Sequence, residues 1–274
     1  MRLIIFRCYF TLFFIAQCIF CSPELHAACT RKINVAFSLA GHLANIEADK
    51  IFGVLPDLLS DFEQNKECQF NFSVVPRARQ ELMFRNGQAD LLIPAVRTSR
   101  RDAYGTFVPL SYTRVALISL QSEKNPILSM RELLDRKSIT VVVVRGYDYG
   151  DTYLKIIHEL KQQGRLIDEA DPVSAARTLK VGIADYAIMA PYVFSGEVQS
   201  DTRVRDMADK LRYEIIPEIS WVVSGLYLSK KSLNTEDTKS LISMFQNASK
   251  SGLLWKKYQH YYDTAVLNLG LKPY

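Results

Sequence analysis

The sequence predicts an α/β protein of two lobes, each an α/β unit, joined by a two-strand hinge. Three observations predict it. Between residues 33 and 93, short apolar runs alternate with stretches of helical periodicity, the pattern of a parallel sheet with right-handed crossovers. The alternation restarts after Pro126, and the phrase Gly87-Gln-Ala-Asp90 ahead of one strand returns as Gly182-Ile-Ala-Asp185 ahead of another. A β-rich stretch at residues 221–228 then provides a return path to the first unit. These observations place lobe 1 at residues 29–118 and 222–274 and lobe 2 at residues 119–221, behind a signal peptide at residues 1–28.

The elements follow in order. Residues 33–37 read as a strand, and residues 51–62 as a helix with Val54, Leu55, Leu58, Leu59 and Phe62 at helical spacing. Residues 70–75 alternate as a second strand. Residues 79–85 read as a helix with Leu82 and Met83 inward, stopped at Asn86-Gly87, and residues 91–93 as a third strand. A strand at residues 115–120 leads to a polar passage at residues 121–126. In the second unit a short helix at 130–134 precedes the fully apolar strand 139–144, as expected of a strand buried on both faces. A glycine-bounded loop, Arg145 to Gly150, leads into a helix at 153–162; a helix at 175–179 and a strand at 186–189 complete the unit. Residues 214–216 and 221–228 are β-rich. The chain closes with an amphipathic helix at 235–248, capped at Asn234 or Thr235, and an apolar helical segment at 252–262.

The N-terminal segment has the layout of a secretory signal: Arg2 and Arg7, an apolar run at residues 8–20 too short for a comfortable membrane span, and the small pair Ala27-Ala28. A cut after Ala27 or Ala28 sets Leu25 or His26 three residues back, so the cut site stays open, as does a lipid on Cys21 or Cys29, whose neighbours do not fit that motif well. Export removes three of the 5 cysteines and leaves Cys29 and Cys68. In an oxidising compartment these are expected to pair, because each precedes a strand candidate and neighbouring parallel strands bring such positions within bonding reach. The alternative is two free thiols.

A net charge of +5, spread evenly, is too mild for a nucleic-acid surface. His42, His158 and His260 share no metal-ligand spacing, and the chain has neither a Gly-x-Ser-x-Gly elbow nor a phosphate loop. No cofactor, metal or catalytic residue is therefore expected. A small anionic or zwitterionic ligand fits the charge. The place to hold it is the turn after the third strand, where Arg97, Arg100 and Arg101 cluster, since a guanidinium presents a planar fork of donors that matches a carboxylate. A solvated basic loop is the plainer alternative.

Several phrases in their order resemble the family 3 extracellular solute-binding proteins, the periplasmic receptors typified by polar amino acid binding proteins of ABC importers. They are Gly53-Val-Leu-Pro-Asp-Leu-Leu59, Pro76-Arg-Ala-Arg79, Gly87-Gln-Ala-Asp90, Thr98-Ser-Arg-Arg101 with Phe107 and Ser111-Tyr112, Arg145-Gly146-Tyr-Asp-Tyr-Gly150, and Gly182-Ile-Ala-Asp185. The resemblance spans nearly all of the exported chain. It implies a periplasmic-binding-protein-like fold that closes on a ligand, with Arg101 matching the arginine that clamps the ligand's carboxylate and Arg100 one register away. It further implies Tyr147, Asp148 and Tyr149 as contacts from the opposite lobe and Arg79 near the cleft. Two positions depart from the pattern: Val96 stands where a Ser or Thr often bonds the ligand, and Ala190 where an Asp neutralises its ammonium, a charge that Asp148 could supply from another direction.

The expected function is capture of a small carboxylate-bearing solute, an amino acid or derivative, by a monomeric periplasmic protein that hands it to the permease of an ABC importer. The alternatives are a dehydratase-like enzyme on the same fold, with Asp148 as its acid or base, and a sensory protein that signals to a membrane receptor.

Overall fold

The structure, a computed structural model, describes residues 29–121 and 125–274. The signal-peptide expectation lies outside the described residues. In lobe 1, β1 (Ile33–Phe37) passes through a small hairpin, β2 (Asn45–Glu47) and β3 (Lys50–Phe52), into α1 (Val54–Gln64). Then come β4 (Phe70–Val74), α2 (Arg77–Asn86), β5 (Leu91–Val96), α3 (Ser99–Asp102) and β6 (Gly105–Thr113). The second lobe holds β7 (Ala116–Leu120), α4 (Met130–Asp135), β8 (Val141–Val144), α5 (Asp151–Gln162), β9 (Leu166–Glu169), α6 (Pro172–Lys180), β10 (Tyr186–Met189), α7 (Pro191–Ser200) and β11 (Leu211–Glu214). β12 (Val222–Ser229) returns to lobe 1, followed by α8 (Thr235–Lys250), α9 (Leu253–Tyr261), α10 (Thr264–Gly270) and β13 (Leu271–Pro273).

Each lobe is organised on one sheet. The first has the order β13-β6-β12-β5-β1-β4, parallel through β4-β1-β5 and antiparallel beyond; the second has the order β11-β7-β10-β8-β9, parallel through β10-β8-β9. The chain leaves the first sheet after Thr113 and joins the second at Ala116, so the boundary expected at residue 118 falls inside β7; it returns between Glu214 and Val222. At these crossings the Arg114 guanidinium lies 4.5 Å from the Trp221 ring centroid, and its Nε donates to Leu269 O at 2.6 Å. One cation thus ties both crossings to the C-terminal segment.

The local readings hold where burial is one-sided or complete. All four valines of β8 are buried, and the apolar positions of α1 lie on its buried face. Residues 51 and 52, expected in that helix, form β3 instead; Gly53, at φ 124, turns the chain into the helix. The inward face of α2 is also different. Leu82 is 40% exposed, and Arg77, Gln80 and Phe84 are buried, because Gln80 donates to Ala36 O and Ile93 O and so fixes that side of the helix on the sheet. Several elements had no clear signal, α7 and β6 among them. α7 is buried on nearly all sides and therefore shows no polar stripe, and β6 carries Pro109, accommodated where a bulge at Ser224 and Gly225 shifts the register of β12.

The repeated phrase performs the same task in both lobes. Asp90 accepts the Asn34 N–H at 2.7 Å and Asp185 accepts the Thr140 N–H at 2.9 Å, each fastening the entry of a neighbouring strand. Cys29 and Cys68 form a disulfide with Cα atoms 4.9 Å apart, just ahead of the paired strands β1 and β4. Among the described residues no helix is long and apolar enough to cross a membrane.

Candidate functional site

Loops at the carboxyl ends of the strands meet between the lobes and enclose three cavities of about 50, 550 and 240 Å³, with Tyr147 bordering all three. The 50 Å³ cavity is central. Lobe 1 supplies Arg77, Val96 and Thr113 to its wall, and lobe 2 supplies Tyr147, Asp148 and Tyr192.

Arg77 is the buried cation of this wall. It opens α2 directly after Pro76, which offers no side-chain cap. Nη1 donates to Gln80 Oε1 at 2.9 Å and Pro94 O at 3.0 Å, and Nη2 to Glu81 Oε1 at 2.9 Å. Its Nε is buried with no hydrogen-bond partner. Burial pushes this guanidinium below its ordinary pKa, opposed by Glu81 and assisted by Arg101. Glu81 receives both arginines. Burial alone would raise its pKa, but the charges of Arg77 and Arg101 outweigh it and hold the carboxyl below the ordinary value.

Arg101 is also buried, on α3, but each of its nitrogens already has an acceptor. Nε and Nη2 donate to Glu81 and Nη1 to Val96 O at 2.9 Å, and the side chain borders the 550 Å³ cavity. Arg100, 65% exposed, pairs across the cleft with Asp148, whose other oxygen accepts the Gly150 N–H at 2.9 Å. The carboxylate considered as an ammonium partner is thus an interlobe link. Arg79 lies exposed on α2 and borders none of the three cavities; the buried member of the Arg77-Ala-Arg79 phrase is Arg77. Arg97 is exposed and pairs with Asp102 at 3.3 Å.

Tyr147 and Tyr149 stand edge to face at 6.0 Å, and Tyr149 packs likewise on Tyr153 at 5.2 Å. Burial raises the pKa of both hydroxyls, so they present neutral rings and hydroxyls to the cleft. Ala190 offers only its backbone, which hydrogen-bonds the Tyr149 hydroxyl.

The lobes are in contact on either side of this wall. Gly41 N donates to Glu197 Oε2 at 2.7 Å, and the His42 ring nitrogens lie 3.3 Å from Gln199 Oε1 and from Ser200 Oγ. A Cβ on Gly41, at φ +54, would come within 2.4 Å of Glu197 N, so only glycine permits this approach. The residues missed from sequence, Arg77, Glu81 and Tyr192, had one legible signal among them: Arg77, Gln80 and Phe84 share a helix face.

No family model and no curated protein matches the sequence. The fold has clear counterparts among solved structures. A putative L-cystine ABC transporter protein from Listeria monocytogenes superposes with a TM-score of 0.68 at 17% identity, over 89% of this chain and 100% of that one. An amino acid ABC transporter substrate-binding protein from Streptococcus pneumoniae, bound to L-arginine, gives 0.67 at 19% identity over 84% and 94%. A histidine kinase sensor domain with similarity to periplasmic binding proteins gives 0.67 at 16% over 84% and 96%. The chain has the two-lobed fold of the periplasmic binding proteins.

Proposed function

We propose that this protein captures a small carboxylate-bearing solute between its lobes and presents the closed form to a membrane partner, as a solute-binding protein of an ABC importer. The observation that carries this reading is the central cavity: both lobes wall it, and it is bordered by a buried guanidinium with an unpartnered N–H. Tyr147 and Tyr192 enclose the ligand from lobe 2, and the Arg100–Asp148 pair fastens the lobes beside it. The exported setting rests on the signal-like segment at residues 1–28. An enzymatic role for Asp148 is disfavoured by its engagement with Arg100 and the Gly150 N–H, which leaves it poorly placed to move a proton.

Native mass spectrometry of the purified protein is expected to reveal a co-purified small molecule, whose removal and return open and compact the protein in small-angle scattering. An absence of compaction and of any thermal shift across a broad panel of carboxylates and amino acids refutes the reading. Pull-down of the membrane partner separates a permease from a sensor receptor.

A further inference from the structure

We propose that the ligand's anionic group docks on Arg77 and not on Arg101, and that the ligand carries no cationic group. This rests on the cleft reading above and names the charge anchor and the ligand class.

Four arginines border the three cavities, and their donors are differently engaged. Arg85 is exposed and lies 5.2 Å from the Tyr104 ring centroid at the outer cavity. Arg100 is mostly exposed and paired with Asp148. Arg101 directs Nε and Nη2 at Glu81 and Nη1 at Val96 O, and it borders the outer cavity. Arg77 borders the central cavity and the 240 Å³ cavity beside it, and its Nε is the buried donor without an acceptor. Buried N–H groups are almost always satisfied, so an orphan on a side chain that lines the cavity marks a donor that an incoming acceptor would satisfy after a small shift of that side chain. The location strengthens the case. Arg77 is the first residue of α2, a ten-residue helix with no side-chain cap and no acidic residue in its first turn, so the positive end of the helix adds to the guanidinium.

The same wall offers an ammonium a single carboxylate, and that one is already shared. Asp148 is the carboxylate that borders the central cavity, and both its oxygens are engaged, by Arg100 and by the Gly150 N–H. Glu81 sits between two guanidiniums. Val96 and the backbone-only Ala190 contribute no charge. A cation drawn into this space would lose water and would have to share Asp148 with Arg100 or settle for hydroxyls and ring faces. A cavity of about 50 Å³ holds roughly three to five water-sized groups. That suits an acid of about the size of acetate, and a larger one such as lactate or succinate would extend past Arg77 into the 240 Å³ space, where Asp171 stands.

Matched pairs that differ at the amine test this. Calorimetry on the wild-type protein with lactate against alanine, and succinate against aspartate, is expected to show at least one acid binding ten-fold or more tightly than its amino counterpart. Arg77→Lys is expected to weaken that acid by at least ten-fold and Arg101→Lys by less than three-fold, with unliganded melting temperatures confirming that both variants fold. Should Arg77→Lys not fold, the ¹⁵Nε resonance of Arg77 in the wild type is the alternative readout: it moves on adding the acid while that of Arg101 stays. Equal or tighter binding of the amino acid, as a zwitterion reaching Asp171 would give, overturns the ligand class. A greater loss in Arg101→Lys, or a moving Arg101 resonance with a still Arg77, overturns the anchor. If none of these acids binds, the inference falls, and cleft capture stands or falls separately on its own scattering test.

Discussion

Replacing Glu197 by Gln should remove a large part of the protein's pH dependence. Glu197 reaches across the cleft from α7 to accept the Gly41 N–H at 2.7 Å. Burial raises its pKa from the ordinary 4.5 to about 7; the Gly41 N–H and Arg203 oppose the rise, and Asp171 and Asp201 add to it. An unfolded chain therefore releases this proton near 4.5 and the folded chain near 7. Between those values the folded state binds more protons, so the contribution to stability is full below 4.5 and is lost as pH rises through 7. About 2.5 pH units at about 1.4 kcal/mol each give roughly 3.5 kcal/mol for complete burial, reduced to about 2 kcal/mol for a side chain that water partly reaches. His42, facing the same contact, has its pKa lowered by burial and acts in the opposite sense, but it is common to both proteins and cancels in the comparison. The assay is urea denaturation of the wild type and Glu197→Gln from pH 4.5 to 8. The stability of Glu197→Gln relative to the wild type is expected to rise by about 2 kcal/mol across this range, a relative melting-temperature shift of roughly 4–8 °C. Parallel curves, within about 0.5 kcal/mol at every pH, refute the reasoning.

Three further outcomes follow from the same contacts. Asp148→Asn keeps an acceptor for the Gly150 N–H but removes an ion pair whose arginine is largely exposed, so ligand affinity should fall only about two- to five-fold, the effect shrinking at high salt. A loss of 100-fold or more by calorimetry would instead make Asp148 a direct ligand contact. Gly41→Ala places a Cβ against the Glu197 backbone, so scattering should show a protein that stays open with saturating ligand; normal compaction counts against that contact as part of the closed form. Replacing Cys29 and Cys68 by Ser frees a loop of 39 residues and should cost about 3–4 kcal/mol in urea, a difference that reductant reproduces in the wild type and does not change in the double variant.

The alternation of β1, α1, β4 and α2 was legible because each element has one clearly apolar face or, like β8, is apolar throughout. Elements buried on nearly every side, such as α7, and strands interrupted by proline, such as β6, lack that contrast and emerge only when packed. The site divides similarly. Clustered charge in the sequence pointed to the arginine turn, and the family resemblance implied the Tyr147-Asp148-Tyr149 loop opposite it; residues of both segments border the cavities. The sequence did not reveal which of these arginines has a buried nitrogen without an acceptor.

By itself, the order of residues determined the α/β class, the twofold repetition of the unit and the cysteine pair, because periodicity and spacing are properties of the chain. Tertiary structure alone decided that Arg101 donates to Glu81, that Asp148 joins Arg100, and that Arg77, which borders the central cavity, is left with a buried, unpartnered N–H. The physical reason is that the engagement of a charged side chain depends on which carboxylates and carbonyls folding brings within about 3 Å of it, and here those partners come from other elements and from the opposite lobe.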